Sequence, residues 1–262
     1  MQHIIEKVHV SIRFTKLRNS YIDTFVRHRI NPEIAFDGPA LDRYSLSDFV
    51  AIAKQLHENS LSVTFHAPFM DISPGSPDPA IREVTWHRFE QMLRLVPVFK
   101  PKTVVSHAGY DRKRYHFIRD EWVENSLKIW KKLAERIRDE GGRLMLENVY
   151  EHGPEDIRIF FENLEDQKAG FCLDIGHQTI FSKTSLELWL ESLGPYLGQL
   201  HLHDNFGKKD DHLGLGKGSI NFEPLFSYLK NRKKTMPVIT LEPHQSEGMW
   251  DSFKYLEKVC LW

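Results

Sequence analysis

Cysteine is scarce in this chain of 262 residues: only Cys172 and Cys260 occur. No disulfide framework is implied, and a reducing cytoplasm is the expected compartment. No apolar run approaches the roughly 20 residues that a membrane span needs. The first residues, Met1 to Lys7, lack the basic start and apolar stretch of a secretory signal. An excess of one charge is missing too, with 35 Lys and Arg against 36 Asp and Glu for a formal net charge of -1. That balance argues against a surface built as a whole to hold nucleic acid, although a local basic patch can still do so. Linkers, low-complexity tracts and internal repeats are likewise absent, and residues 73–79 read as a loop rather than a domain boundary.

What is present fits one large α/β domain. At 41% hydrophobic and 27% charged, the chain can bury a sizeable core and keep a soluble surface. Short β-rich runs fall at residues 8–11, 33–36, 62–66, 103–107, 143–147, 170–174, 198–203 and 238–242. Helical periodicity fills much of the space between them, at 45–57, 80–96, 121–139, 154–164, 185–193 and 222–230. In 80–96 the residues Ile81, Val84, Phe89, Met92 and Leu93 are spaced to cover one face. Strict alternation of strand and helix implies parallel strands with crossover helices, and eight repeats favour a closed (β/α)₈ TIM barrel over an open sheet.

Histidine is plentiful, with 14 residues, and its placement is informative. Six expected strands finish at or near a residue able to bind a metal: His66, His107, Glu147, Asp174, His201 and Glu242. Strand C-termini form the mouth of a barrel, where this fold places its chemistry. Each of these residues follows an apolar or β-branched stretch, so six polar groups would converge in a buried place. Three of them are carboxylates, and their burial requires compensating positive charge, most simply a divalent cation. His177, Asp210 and His212 add candidates on the loops above. Mixed His and carboxylate donors suit Zn, Mn or Fe.

At these residues the sequence resembles the xylose isomerase-like TIM-barrel superfamily, and within it endonuclease IV. The segments that carry the resemblance are Phe65-His66-Ala67-Pro68-Phe69, Ser106-His107-Ala108-Gly109, Leu146-Glu147-Asn148 and Leu173-Asp174-Ile175-Gly176-His177. They continue with His201-Leu202-His203-Asp204, Asp210-Asp211-His212, Gly214-Leu215-Gly216-Lys217-Gly218-Ser219-Ile220 and Leu241-Glu242-Pro243. The endonuclease pattern implies up to three metals. One falls on His66, His107 and Glu147; a second shares Glu147 and adds Asp174, His201 and Glu242; the third falls on His177, Asp210 and His212. Such a cluster serves phosphoester hydrolysis. The sugar and sugar-phosphate isomerases and epimerases of the same superfamily imply one metal on Glu147, Asp174, His201 and Glu242. There Glu147 and Glu242 act as acid and base on the carbon beside a carbonyl. A third alternative is a barrel that binds metal or sugar without turnover.

The expected substrate is small and anionic or sugar-like. Abasic DNA is a candidate that the net charge does not favour, even though Phe69-Met70 could imitate the residues endonuclease IV inserts into DNA. Arg112-Lys113-Arg114 and Lys208-Lys209 are expected on loops overhanging the site, which makes Arg112 and Lys208 candidate substrate contacts. Asn148 is expected to position substrate or a neighbouring carboxylate. His203, two residues past His201 on the same face, is expected to contact substrate or support a ligand. Tyr110 and Trp250 are read as pocket wall or packing, and Cys172 as a small core residue. The sequence carries no signal for oligomeric state.

Overall fold

The computed structural model describes residues 1–259 and 261; Cys260 lies outside the described residues. Eight parallel strands close into a barrel in sequence order. They are β1 (His9–Arg13), β2 (Asn31–Ala35), β3 (Thr64–His66), β4 (Thr103–His107), β5 (Arg143–Glu147), β6 (Gly170–Asp174), β7 (Leu197–Leu202) and β8 (Val238–Leu241). The expected strands all form, three of them (β4, β5 and β6) with the boundaries read from the sequence. No helix is long and apolar enough to cross a membrane among the described residues.

Helices form where caps and periodicity agree. The helix Leu46–Glu58 opens with a reciprocal capping box between Ser45 and Asp48, which satisfies two otherwise orphaned backbone donors. Its face of Phe49, Ile52, Ala53 and Leu56 is buried. The helix Pro79–Leu93 starts from Asp78, whose carboxylate accepts from the Ala80 amide, with proline in the first turn. Its buried face is Thr85, Phe89, Met92 and Leu93. Ile81 and Val84 are instead exposed, at 44% and 58%, so the face expected from spacing holds only for the last two turns. The periodic stretch also breaks before Val96, where a separate turn, Val96–Phe99, begins.

Two segments expected to be loops, and the connection after β2, are short helices. Asp37 caps Gly38–Arg43, Asp111 caps Arg112–Tyr115, and Asp174 caps Ile175–Phe181. In each, a carboxylate at the end of the preceding segment accepts a backbone N–H of the first turn, which suffices to start a helix that periodicity is too short to announce. The segment after β1 coils as well, through a π-helical turn, Leu17–Tyr21, into Ile22–His28.

Two apolar regions result. A large one lies between the barrel and its helices, while Val105, Met145 and Cys172 form a small separate cluster. These three alternate with the outward residues of β4, β5 and β6, which places them in the lumen. The rest of that layer is polar: Glu33, Thr64, Gln199 and Thr240 are all fully buried. Strand register then sets the next layer up, pairing His107 with Glu147 and Asp174 with His201.

Candidate metal centre

All nine residues expected to bind metal converge at the C-terminal end of the barrel. Their ligand atoms fall into overlapping sets lying within 4.8 Å of one another. These include His66 with His107 and Glu147, Glu147 with Asp174 and His201, and His177 with His203, Asp210 and His212. Glu147 is the hub. Its Oε2 lies 3.3 Å from His66 Nε2, 3.7 Å from His107 Nε2 and 3.4 Å from His201 Nδ1. Its Oε1 lies 3.1 Å from His177 Nδ1. Two ligands bound at 2.0–2.2 Å to one tetrahedral ion sit about 3.4 Å apart, so the His66, His107 and His201 separations are those of a shared coordination shell, whereas His177 Nδ1, also 3.1 Å from the Asn148 carbonyl, carries a proton there.

The hydrogen bonds behind the imidazoles fix which nitrogen faces inward. His66 Nδ1 lies 2.8 Å from the Ala67 carbonyl, and His212 Nδ1 lies 2.8 Å from the Glu242 carbonyl. A carbonyl only accepts, so these nitrogens carry protons and each Nε2 keeps its lone pair for the cluster when the ring is neutral. His201 is turned the other way. Its Nε2 approaches Glu33 Oε1 at 2.9 Å, leaving Nδ1 at 3.4 Å from Glu242 Oε1 as well as from Glu147.

Orphaned atoms supply the test of whether a cation fits. Glu147 Oε1 and Oε2, Asp174 Oδ2 and His201 Nδ1 are all buried without a hydrogen-bond partner. Buried acceptors left unmade are costly, and Glu147, Asp174 and His201 form one of the sets whose ligand atoms lie within 4.8 Å of one another. The donor set therefore fits divalent ions.

Electrostatics points the same way. Burial alone would raise Glu147, but the charges of His201 and His107 hold it well below the usual carboxylate range. Burial pushes His107 down to about 3, so it stands neutral and ready to bind through a lone pair. In the metal-free chain the loop-borne His212 is the reverse. Its burial is outweighed by the hydrogen bond to Asp210 and by the charges of Glu242 and Asp174, which raise it to about 9.

His177 comes from the helix Ile175–Phe181 rather than from a loop, with its amide 2.6 Å from Asp174 Oδ1. Its Nε2 lies 3.3 Å from Asp210 Oδ2, and the same oxygen lies 3.1 Å from His212 Nε2. His212 itself has a left-handed backbone, φ 48°, a conformation that costs a non-glycine residue about 1 kcal/mol. Its ring is clamped between His203, at 3.9 Å and 9°, and His244, at 4.1 Å and 15°.

The candidate substrate contacts are placed as follows. Asn148 gives both halves of its amide to the Asp174 backbone, donating to its carbonyl and accepting from its N–H, each at 2.9 Å. It braces the neighbouring carboxylate. His203 Nε2 lies 3.2 Å from Asp174 Oδ1, and its ring occupies the space that a Cβ on Gly176 would need. A near-parallel stack on His212 prevents both rings from holding one ion in their planes, so His203 supports Asp174 and His212. Arg112 bonds Asp156 at 2.6 Å and Glu155 at 3.3 Å, which compensates its charge within the chain. Lys208 is exposed on the loop that carries Asp210 and His212. Phe69, 41% exposed, lies 4.9 Å from the His107 ring and 5.4 Å from that of His66, and walls that side of the mouth. Tyr110 packs on Trp122 and Trp250 on His28 and Phe253.

Two residues of the site escaped the sequence reading. Glu33 accepts from Thr64, Thr240 and Gln199 at 2.9, 2.9 and 2.6 Å and backs His201. Its signal was available, because period-two alternation across Ile30 to Phe36 turns Asn31, Glu33 and Ala35 inward. His244 had no such signal: only the fold brings it onto His212.

A family model for xylose isomerase-like TIM barrels matches residues 32–259. Among curated proteins, the uncharacterized MJ1311 of Methanocaldococcus jannaschii is 27% identical over 177 residues, 65% of this chain and 60% of its own length. The chain thus aligns with less than two thirds of that relative. MJ1614 of the same organism is 28% identical over 70% of each chain. Among solved structures, the TTHB071 protein of Thermus thermophilus, soaked with ZnCl2, superposes with a TM-score of 0.82 at 25% identity over 97% of both chains. A D-tagatose 3-epimerase-like protein superposes with a TM-score of 0.78 at 23% identity, again over 97% of both. D-psicose 3-epimerase of Clostridium cellulolyticum, in complex with D-tagatose, gives 0.75 at 15% identity, over 97% of this chain and 98% of that one.

Proposed function

The chain belongs to the xylose isomerase-like TIM-barrel family, and within it we propose a multinuclear, divalent-metal-dependent phosphoester hydrolase. The observation that carries this reading is the third donor set. His177, Asp210 and His212 are joined through Asp210 Oδ2 at 3.3 and 3.1 Å, beside a strand-borne cluster that already has donors for two ions. A one-metal sugar isomerase has no need of it. His66, His107 and Glu147 would hold one ion, Glu147, Asp174, His201 and Glu242 a second, and the loop set a third. Zn, Mn and Fe suit these donors, and the zinc soak of the Thermus relative makes zinc the first ion to try. Bound ions supply a nucleophile at neutral pH and neutralise phosphoryl oxygens.

The residues themselves divide the work. Glu147 belongs to two donor sets and would serve both from the buried side. Asp210 and His212 close the mouth from the loop, and Phe69 excludes water from the His66 and His107 side. Lys208 is exposed to meet an anionic group, consistent with a small anionic or sugar-like substrate. Abasic DNA belongs on the substrate panel without being favoured by the net charge of -1.

A second reading is favoured by one specific observation. Glu147 and Glu242 both approach His201 Nδ1 at 3.4 Å, and with Asp174 and His201 they form the quartet a one-metal sugar or sugar-phosphate epimerase would use. The epimerases among the structural neighbours support that reading. In it the two glutamates remove and return a proton at the carbon beside a carbonyl. A non-catalytic binding barrel would show neither turnover.

The deciding experiment is elemental analysis of untagged protein purified without chelator, followed by phosphoester and sugar panels. About three equivalents with phosphoester turnover supports the hydrolase. One equivalent with sugar turnover replaces it by the epimerase.

A further inference from the structure

The glycine-rich segment after His212 has the form of an anion-binding loop, with backbone amides converging on one point. The anion they meet belongs to the chain. Asp204, 1% exposed, accepts at Oδ2 from the amides of Gly216 and Gly218, at 3.0 and 2.9 Å. At Oδ1 it accepts from Asn205 and Ile220, at 2.9 and 3.1 Å. Its own backbone pairs with Leu213 in both directions, at 2.9 and 2.8 Å. Residues 205–212 are therefore an excursion pinched shut at its base, and Asp210 and His212 stand on that excursion.

The neighbouring residue fastens the excursion to the third donor. Asn205 donates through Nδ2 to the Gly176 carbonyl at 3.2 Å, next to His177, and its own carbonyl accepts from the Ser219 amide at 2.8 Å. Gly218 is required by the closeness of this arrangement: a Cβ there would collide with the Asn205 carbonyl and the Asp204 carboxylate.

We infer that Asp204 is the positioning residue of the loop-borne metal site, the internal anion that brings Asp210 and His212 to His177. The inference rests on the reading of His177, Asp210 and His212 as metal ligands. Asp204 touches no substrate; it acts through the loop, and its loss unseats one donor set while the strand-borne donors keep their register.

The test titrates the full-length, metal-free protein with zinc by calorimetry and follows amide hydrogen exchange. Wild type is compared with Asp204→Asn, which sets an NH₂ donor against amide donors, and with Gly218→Ala, which displaces the loop and keeps the carboxylate. Both variants are expected to weaken one binding step by about 10- to 100-fold and leave the other steps unchanged. Exchange at 205–213 and at the amides of Gly216, Gly218 and Ile220 should quicken. A general structural defect would weaken every step alike and overturn the inference, as would unchanged binding with wild-type exchange. Should Asp204→Asn fail to fold, Gly218→Ala carries the test. A wild type with a single binding step would sink the three-site reading; the clamp would then stand or fall on exchange alone, with unchanged exchange in Asp204→Asn overturning it.

Discussion

The two halves of the donor cluster are built differently. His66, His107, Glu147, Asp174, His201 and Glu242 stand at strand ends, where ladder register fixes their height and the barrel fixes their direction. Asp174 and His201 are fully buried and Glu147 nearly so, at 1%. The loop-borne set is looser and more strained. Asp210 keeps 33% of its side-chain surface exposed, His212 has a left-handed backbone, and both depend on contacts far along the chain. A strand-borne donor is placed by the fold whether or not an ion is present, whereas a loop-borne donor needs its own scaffold. That contrast explains why only the loop half has a stack of three imidazoles and a carboxylate clamp.

The sharpest way to break the contrast is Glu147→Gln. Removing the hub charge leaves His66, His107, His177 and His201 without their common partner. Metal content should fall by more than one equivalent, and turnover should drop by on the order of 10³-fold, or several kcal/mol of barrier. Elemental analysis and steady-state rates read both, and full retention of metal would remove Glu147 from the centre.

Next in size is His212→Ala, which should empty the loop-borne set alone. One equivalent is lost, the strand-borne equivalents remain, and phosphoester turnover falls on the order of 100-fold. If turnover on a sugar survives intact while the phosphoester assay is silent, the epimerase reading takes over.

Glu33→Gln probes the strand side more gently. It weakens the partner that holds His201 Nε2 at 2.9 Å and so frees the ring to turn. A loss of about 10- to 100-fold in zinc affinity is expected at the site that uses His201, with the loop-borne step unchanged in the same titration.

The gentlest perturbation, which changes no residue, is one of pH. His212 in the metal-free protein holds its proton up to about 9, so an ion binding there must displace it. Affinity at the loop-borne step should fall by at least about tenfold per unit as pH drops below about 9, with His177, whose proton is also held well above the usual imidazole range by Asp174, Asp210 and Glu147, steepening the slope, while His107, neutral above about 3, adds none. Stability of the metal-free chain carries the matching sign. The folded value lies above the ordinary 6.5, so this contribution is full below 6.5 and is lost as pH rises through about 9. Denaturant titrations of wild type and His212→Ala across about pH 6 to 10 would show the difference, or its absence.

The strand-end candidates were legible because each ends a short apolar or β-branched run that is already a buried-strand signature: Val104-Val105-Ser106 before His107 and Leu144-Met145-Leu146 before Glu147. Glu33 was marked only by its inward place in the alternation of β2 and, standing mid-strand below the mouth, was not read as part of the site. Asn148 and His203 could be put near the site, but not assigned partners. Asn148 lies at 2.9 Å from two backbone atoms of Asp174 across 26 residues of sequence. The exposure of Ile81 and Val84 was hidden for a similar reason, since periodicity gives a helix its apolar stripe without saying how far the neighbouring layer extends.

By itself, then, the sequence determined the (β/α)₈ barrel and nominated nine candidate donors for its mouth, because helical and strand patterning and side-chain chemistry are local properties. Only the tertiary structure decided which nitrogen of each imidazole faces the cluster, and that His244 caps His212. It alone decided that a glycine-rich loop closes on Asp204. Those depend on carbonyls, rings and carboxylates brought together from distant segments, and no local pattern records which ones meet.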